Sequence, residues 1–235
     1  MAESPHNLPL QPSTLRLATE TIARDAGEFV LANQSRRGEV DSSYHHDIKL
    51  RMDVETQLLI EGRVRKQFPD HGFLGEEGDK KDEGKEFVWV VDPIDGTMNY
   101  YRGFPYWCTS IAVTYRGSSV AGTVFSPILN ECYSASIDEE ATLNGQPIVV
   151  SDVSDLEACI LVTSGLFRVV KSEERTSGFL NALRTLRKVR VLGAAALDLC
   201  QVAAGVADAM YESELKVWDI AAAGLIARKA GATVA

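Results

Sequence analysis

Two acids three residues apart stand in the run Asp92-Pro93-Ile94-Asp95-Gly96-Thr97. Carboxylates at that spacing on a tight turn repel each other strongly unless a positive charge lies between them. No basic cluster adjoins them in the sequence. A divalent cation is therefore the natural partner, and all-oxygen ligands select a hard ion, Mg2+ or Mn2+. An Asx-turn with surface carboxylates is the alternative, but it leaves unexplained why the apolar run Phe87-Val88-Trp89-Val90-Val91 feeds the turn. Gly96 permits close backbone approach, and Thr97 and Met98 can open a short helix. Its first N–H groups would suit a phosphate.

Four further acids, in three places, have similar settings. Glu76-Glu77 follows Gly72-Phe73-Leu74-Gly75, a short strand ending in Gly; such a pair is either a solvated loop or a second ligand source. Asp219 follows Trp218 ahead of an Ala-rich helix, where it is first an N-cap and secondly a ligand; its two oxygens allow both. Asp53 opens a helix as an N-terminal carboxylate.

The elements that must position these acids are legible from periodicity. A helix is predicted over 13–33, with Leu15, Ala18, Ile22, Ala26, Phe29 and Val30 on one stripe and Ser13 or Thr14 as cap. A second runs over 53–68, with Pro69 after its stop. Strands are predicted over 72–75 and 87–91, then over 109–115, 120–125, 131–136 and 147–150, broken by Gly117, Pro127 and Asn144-Gly145. Later strands are predicted over 160–163, 189–192 and 207–211, with helices over 173–186, 194–204 and 219–230. The reading is α/β, with an N-terminal part (1–150) carrying the acidic motifs and a C-terminal part (151–235) sharing one core with it.

Composition narrows the function classes. Among 235 residues, 24 Lys and Arg face 33 Asp and Glu, a formal charge of −9. That balance argues against a nucleic-acid partner and against docking on anionic lipid. No apolar run approaches the roughly 18 residues of a spanning helix, and the N-terminus has no secretion-signal pattern. Cys108, Cys132, Cys159 and Cys200 lie far apart and read as reduced, buried thiols of a cytoplasmic protein. His45-His46 lacks further ligands at transition-metal spacing, and His71 reads as a turn residue.

Three segments carry a resemblance. Gly75-Glu76-Glu77, the run from Trp89 to Tyr100 (WVVDPIDGTMNY) and the run from Trp218 to Ala232 (WDIAAAGLIARKAGA) resemble the signatures of the inositol monophosphatase family, the lithium-sensitive, Mg2+-dependent sugar and polyol phosphatases. The resemblance covers nearly the whole chain. It implies the layered α-β-α-β-α sugar-phosphatase fold shared with fructose-1,6-bisphosphatases. The implied activity is release of phosphate from a small phosphorylated polyol, such as inositol 1-phosphate, by direct attack of metal-activated water. The implied cofactors are two or three Mg2+ ions, with Mn2+ as an alternative.

Residue by residue, the resemblance implies that Glu76, Asp92 and the Ile94 carbonyl hold one ion and that Asp92, Asp95 and Asp219 hold another. Glu76 and Thr97 would orient the water, with Asp53 supporting the network. The amides of Gly96 and Thr97 would hold phosphate. Asp95, Gly193, Ala194, Ala195 and Glu212 would line the polyol. A homodimer is implied as well. The alternatives are a histidinol phosphatase, a fructose-1,6-bisphosphatase or phosphoadenosine phosphatase, and a catalytically weak, metal-binding regulatory member.

Three departures stand out. Between Asp47 and Asp53 the family commonly has Val-Thr, where this chain has Lys49-Leu50; the missing hydroxyl puts a third ion in question. Ile137-Asp138-Glu139-Glu140-Ala141 replaces a Gly-rich turn, an expected change to a surface hairpin only. The sequence stops at Ala235, where relatives are expected to continue for a strand and a helix, so the last of these would be lacking here.

Overall fold

The computed structural model describes residues 8–43, 48–78, 84–164 and 173–235. His45, His46 and Asp47 lie outside the described residues, as do 79–83 of the charged loop. Helix α1 (Pro12–Ala32) starts on a proline at its first turn, with Gln11 as N-cap and no side-chain cap. The cap expected at Ser13 or Thr14 is therefore inside the helix. Leu15, Ile22, Ala26 and Val30 form its fully buried stripe.

After the hairpin of β1 (Val40–Ser43) and β2 (Ile48–Leu50) comes α2 (Arg51–Gln67). A seven-stranded sheet follows in strand order β3-β4-β5-β6-β7-β8-β9: β3 (Gly72–Gly75), β4 (Phe87–Asp95), β5 (Cys108–Tyr115), β6 (Ser118–Ser126), β7 (Glu131–Ser136), β8 (Glu139–Leu143) and β9 (Gln146–Pro147). Only β3 and β4 pair in parallel; the rest is an antiparallel meander. Helix α3 (Thr97–Arg102) sits between β4 and β5.

A second, three-stranded parallel sheet, β11-β10-β12, is built from β10 (Ile160–Thr163), β11 (Lys188–Val191) and β12 (Ala209–Met210). Helix α4 (Glu173–Thr185) connects β10 to β11, and α5 (Ala195–Ala203) connects β11 to β12. Helix α6 (Val217–Lys229) ends the described elements.

The central sheet explains the apolar β4. Trp89 and Val91 face α1 and α2 in a core with Leu15, Ile22, Ile60 and Val64. Val90 faces the opposite way, into a core with Leu197 and Cys200 of α5 and Ala222, Ala223 and Ile226 of α6. A strand covered on both faces must be apolar at every position. Residues on either side of Ser151 share that second core. The layers are thus α, β, α, β, α, as the resemblance implies.

The meander departs from expectation at its edge. The predicted strand over 147–150 shrinks to Gln146–Pro147: after a last bond from Ile148 N–H to the Ala141 carbonyl the chain leaves the sheet, and Val150 N–H donates to the carbonyl of Ala230, just past the end of α6. Instead β8 forms from the acidic segment 139–143 and turns at Asn144-Gly145, both at positive φ. This segment is more than a surface hairpin. Glu139 and the Glu140 carbonyl take the Arg16 guanidinium, and Ala141 is fully buried.

The four cysteines are free and buried. Among the described residues, no helix is long and apolar enough to cross a membrane.

Candidate active site

Strand β4 extends past the predicted apolar run and carries Asp92 and Asp95 within it. Asp92 lies opposite Ser110 and Asp95 opposite Cys108, so three steps on β4 match two on β5. That bulge re-aims the side chains around Pro93-Ile94. Thr109 fixes the outer side by donating to the Pro93 carbonyl at 2.9 Å. Gly96 then turns the chain at φ 88° and caps α3. A Cβ there would stand 3.1 Å from the Tyr106 carbonyl and 3.2 Å from that of Gly193. Only glycine fits, in conformation and in space. The same contact seats Gly96 directly against Gly193 and Ala194.

The loop carrying Gly193 is held in turn. Asn99 of α3 donates to the carbonyls of Tyr106 (2.7 Å) and Leu192 (2.8 Å). Beyond it, the first turn of α5 points its amides at Asp95: Ala195 N–H to Oδ1 at 3.1 Å and Ala196 N–H to Oδ2 at 2.7 Å. Of the predicted substrate-side residues, Ala195 thus orients an acid through its amide.

Asp53 and Asp219 share one device. Each is the third residue of its helix and reaches back to an amide just before the first turn: Leu50 N–H to Asp53 Oδ2 at 2.9 Å, and Lys216 N–H to Asp219 Oδ2 at 2.7 Å. Asp219 is therefore not the N-cap expected from the sequence. The helix begins two residues earlier, at Val217. In both cases one oxygen caps the helix.

Thr97 lies between these parts. Its hydroxyl donates to the Ile94 carbonyl at 2.9 Å, with Asp53 Oδ1 3.5 Å away as the alternative acceptor. Glu76 sits at the end of β3, its amide bonded to the Val91 carbonyl at 3.1 Å. Glu77 is clamped by Gln57, whose side-chain oxygen accepts the Glu77 amide at 2.8 Å and whose NH2 donates to the Glu77 carbonyl. The pair is therefore part of the structure, not a solvated loop.

The electrostatics are those of buried, crowded acids. Burial, the Glu76 charge and then the Asp95 and Asp219 charges push Asp92 far above the usual carboxylate range. Burial, then Glu77, Asp53 and Asp219, push Glu76 up to about 8 even though it shares a hydrogen bond with Asp92. Burial raises Asp53 to about 8 against the pull of the Leu50 amide, and burial with the Asp219 charge raises Asp95 to about 7. Asp92 Oδ1 is buried with no hydrogen-bond partner.

Five acids from four places in the chain therefore feel one another's charge. As the side chains lie, no three His, Cys, Asp or Glu among the described residues stand in ion-holding geometry. Backbone amides hold both oxygens of Asp95 and one each of Asp53 and Asp219, which keeps these acids apart.

The chain matches the inositol monophosphatase family over residues 11–235. It belongs to that family. The inositol-1-monophosphatase of Mycobacterium leprae is 36% identical over 246 residues, covering 95% of this chain and 84% of the relative. Nus factor SuhB of Vibrio cholerae is 34% identical over 219 residues, covering 90% and 81%. The crystal structure of extragenic suppressor protein SuhB from Bartonella henselae superposes with a TM-score of 0.84 at 29% identity, over 93% of this chain and 85% of that one. Membership explains why three short motifs spread over the family fold meet at the end of β4.

Sequence reasoning missed one polar hub of this family member. Asp198, wholly buried in α5, accepts the Tyr106 hydroxyl at 2.8 Å and the Ser164 hydroxyl. Burial raises its carboxyl to about 6, against the pull of those two donors. Glu212, singled out from the sequence, accepts the amides of Ser164 (2.7 Å) and Ser213 (3.1 Å). Ser164 thus links Asp198 to Glu212, and Tyr106 links both to the Gly96 turn. The one available signal was an acid inside the apolar run Ala194-Ala195-Ala196-Leu197-Asp198-Leu199-Cys200. The aromatic stretch before β5 divides: Tyr100 and Trp107 are buried edge to face at 5.2 Å, whereas Phe104 is exposed.

Proposed function

We propose that this chain is a Mg2+-dependent phosphomonoesterase that hydrolyses a small polyol phosphate, such as inositol 1-phosphate, to the free alcohol and inorganic phosphate. The observation that carries the reading is the buried, unpartnered Oδ1 of Asp92 among four other carboxylates at a strand's C-terminal end. A buried carboxyl that keeps its proton because like charges crowd it is one that a bound cation would let ionise, and its neighbours supply only oxygen.

In chemical kind the donors suit such an ion, being oxygens only and mostly carboxyl groups, and their side chains would have to close on it from where they lie. Glu76, Asp92 and the Ile94 carbonyl would hold one Mg2+; Asp92, Asp95 and Asp219 would hold a second, with Mn2+ able to substitute. When bound, the metal lowers the pKa of water and stabilises the leaving oxygen. The protein's own groups do the rest. Thr97 shifts its proton from the Ile94 carbonyl toward Asp53, which frees that carbonyl and, with Glu76, orients the attacking water. The Gly96 and Thr97 amides receive the phosphate. Glu212 receives substrate hydroxyls beside Gly193, Ala194 and Ala195. A homodimer and a cytoplasmic location belong to the same reading.

The similarity to relatives named Nus factor SuhB favours a second reading, a metal-binding member whose role is assembly rather than turnover. One assay separates the two: phosphate release from inositol 1-phosphate, histidinol phosphate, fructose 1,6-bisphosphate and phosphoadenosine phosphate, with and without Mg2+. Turnover of one substrate that needs Mg2+ and falls about a thousandfold in Asp92→Asn is the expected result. Release from none of the four by folded, Mg2+-loaded protein would overturn the catalytic reading.

A further inference from the structure

Lys49 stands where the family commonly has a hydroxyl-bearing neighbourhood, on the short strand β2. Its neighbours Ile48 and Leu50 are buried, so alternation aims Lys49 to the opposite side. There its ammonium forms an ion pair with Glu77, whose side chain is only 11% exposed. Glu77 is not free to move away, since Gln57 holds its backbone from both sides. A cleft of about 200 Å³ opens beside the pair, lined by Gln57, Glu61, Phe73 and Gly75.

The position of this pair gives it a consequence. Glu77 is among the charges that act on both Asp53 and Glu76. Without Lys49 it would be one more negative charge at the edge of an already crowded set of carboxylates. An ammonium on a half-buried ion pair is screened less than a surface one, so its field reaches the acids behind it.

We propose that Lys49 is a tethered counter-ion that cancels the Glu77 charge and so sets how tightly the neighbouring carboxylates take divalent cations. It is a positioning and tuning residue, and it touches no reacting atom. This inference rests on the reading of the acids as a metal site, and its test must fail separately from that reading.

Isothermal titration of the full-length protein with MnCl2 and with MgCl2, at low salt and neutral pH, provides the separation. Lys49→Met leaves Glu77 uncompensated and should tighten cation binding by about threefold or more, or add a weak second phase. Glu77→Gln removes one negative charge and keeps the Lys49 ammonium, and should weaken cation binding by a similar factor. The double variant restores the original charge and should return close to the wild-type affinity, as should Lys49→Arg. A purely structural role would shift the two single variants in the same direction and the double variant further still. Unchanged affinity in both single variants, or same-direction shifts, would overturn the proposal while leaving the metal site standing. If the wild type itself binds neither ion, the metal reading fails instead and the proposal falls with it.

Discussion

Two buried charges, Arg16 and Asp92, lie in the same molecule and are treated in opposite ways. Arg16 of α1 is 8% exposed, yet every nitrogen of its guanidinium has a partner. Nε donates to Glu20 and Ser134 at 3.1 and 3.2 Å, Nη1 to Glu139 and the Glu140 carbonyl at 3.4 and 3.0 Å, and Nη2 to Thr142 at 2.6 Å. Asp92 is buried deeper, at 2%, with one oxygen unpartnered and like charges around it. A satisfied buried charge ties elements together, here α1 to β7 and β8. An unsatisfied one stores repulsion that a ligand can relieve.

The contrast breaks most visibly at Asp92 and Arg16 themselves. Arg16→Leu strands Glu20 and Glu139 at the end of the meander and should cost about 3 kcal/mol of folding stability, toward the low end for a broken buried pair because Glu139 is half exposed. Activity per folded molecule should hardly change. Asp92→Asn should do the reverse: it removes repulsion, so in chelator the variant melts no lower than wild type, while Mg2+ no longer raises its melting temperature. Thermal melts of both variants with chelator and with Mg2+ decide the matter. A large loss of metal-free stability in Asp92→Asn would mean that its carboxylate is structural after all.

How much of this was legible depends on how local the chemistry is. Asp92, Asp95 and Gly96 could be read because six consecutive residues contain the acids, the bulge and the positive-φ turn, fed by a strand whose apolar run betrays burial on both faces. The Arg16 anchor could not be read. Apart from Glu20, one turn along the helix, its partners lie 118 to 126 residues away, and the Glu139-Glu140 pair that receives it looks like a solvated turn until β8 is seen. Asp198 was hidden for the same reason, its donors being 92 and 34 residues distant. Asp219 shows a subtler limit. An acid near a helix start signals capping, but whether it caps from the first position or reaches back from the third depends on where the helix begins. Val217 and Trp218 do not announce that start.

Tyr106 sharpens the comparison at an intermediate scale, because Asp198 is a buried acid closer to Arg16 than to Asp92 in its satisfaction. Tyr106→Phe removes one of two hydroxyl donors and should cost about 1–2 kcal/mol of stability. Burial and the Asp198 charge hold the Tyr106 hydroxyl well above the usual tyrosine range, so its proton stays in place throughout the working pH. With Ser164 less firmly held, Glu212 should be less well placed for substrate hydroxyls. The expected kinetic result is a KM raised about threefold with kcat nearly unchanged, read from initial rates on the best substrate. A fall in kcat with constant KM would instead assign the Asp198 hub to the metal side of the cleft.

The smallest expected effect comes from the far end of β4, where a titratable group is buried and satisfied in its neutral form only. His71 closes the turn expected of it, its amide bonded to the Phe68 carbonyl at 3.1 Å. Its ring lies between Phe68 and Phe87, with ring centroids 5.0 and 4.8 Å away, and its Nδ1 accepts the Trp89 indole N–H at 3.1 Å. Protonation at Nδ1 would set two donors against each other. Burial accordingly holds the imidazole below its usual 6.5, against the opposing pull of Asp70. A histidine whose pKa is lower folded than unfolded stabilises the fold fully above the unfolded value. Below that value the unfolded chain takes the proton first and stability is lost. Wild type should therefore lose stability between pH 7.5 and pH 5.5 in urea titrations run with Mg2+ present, which holds the acidic cluster constant. His71→Gln, which can still accept from Trp89 but cannot titrate, should be weaker overall and lose less across the same interval. An equal loss in the variant would place the acid sensitivity elsewhere and leave the His71–Trp89 pair as packing alone.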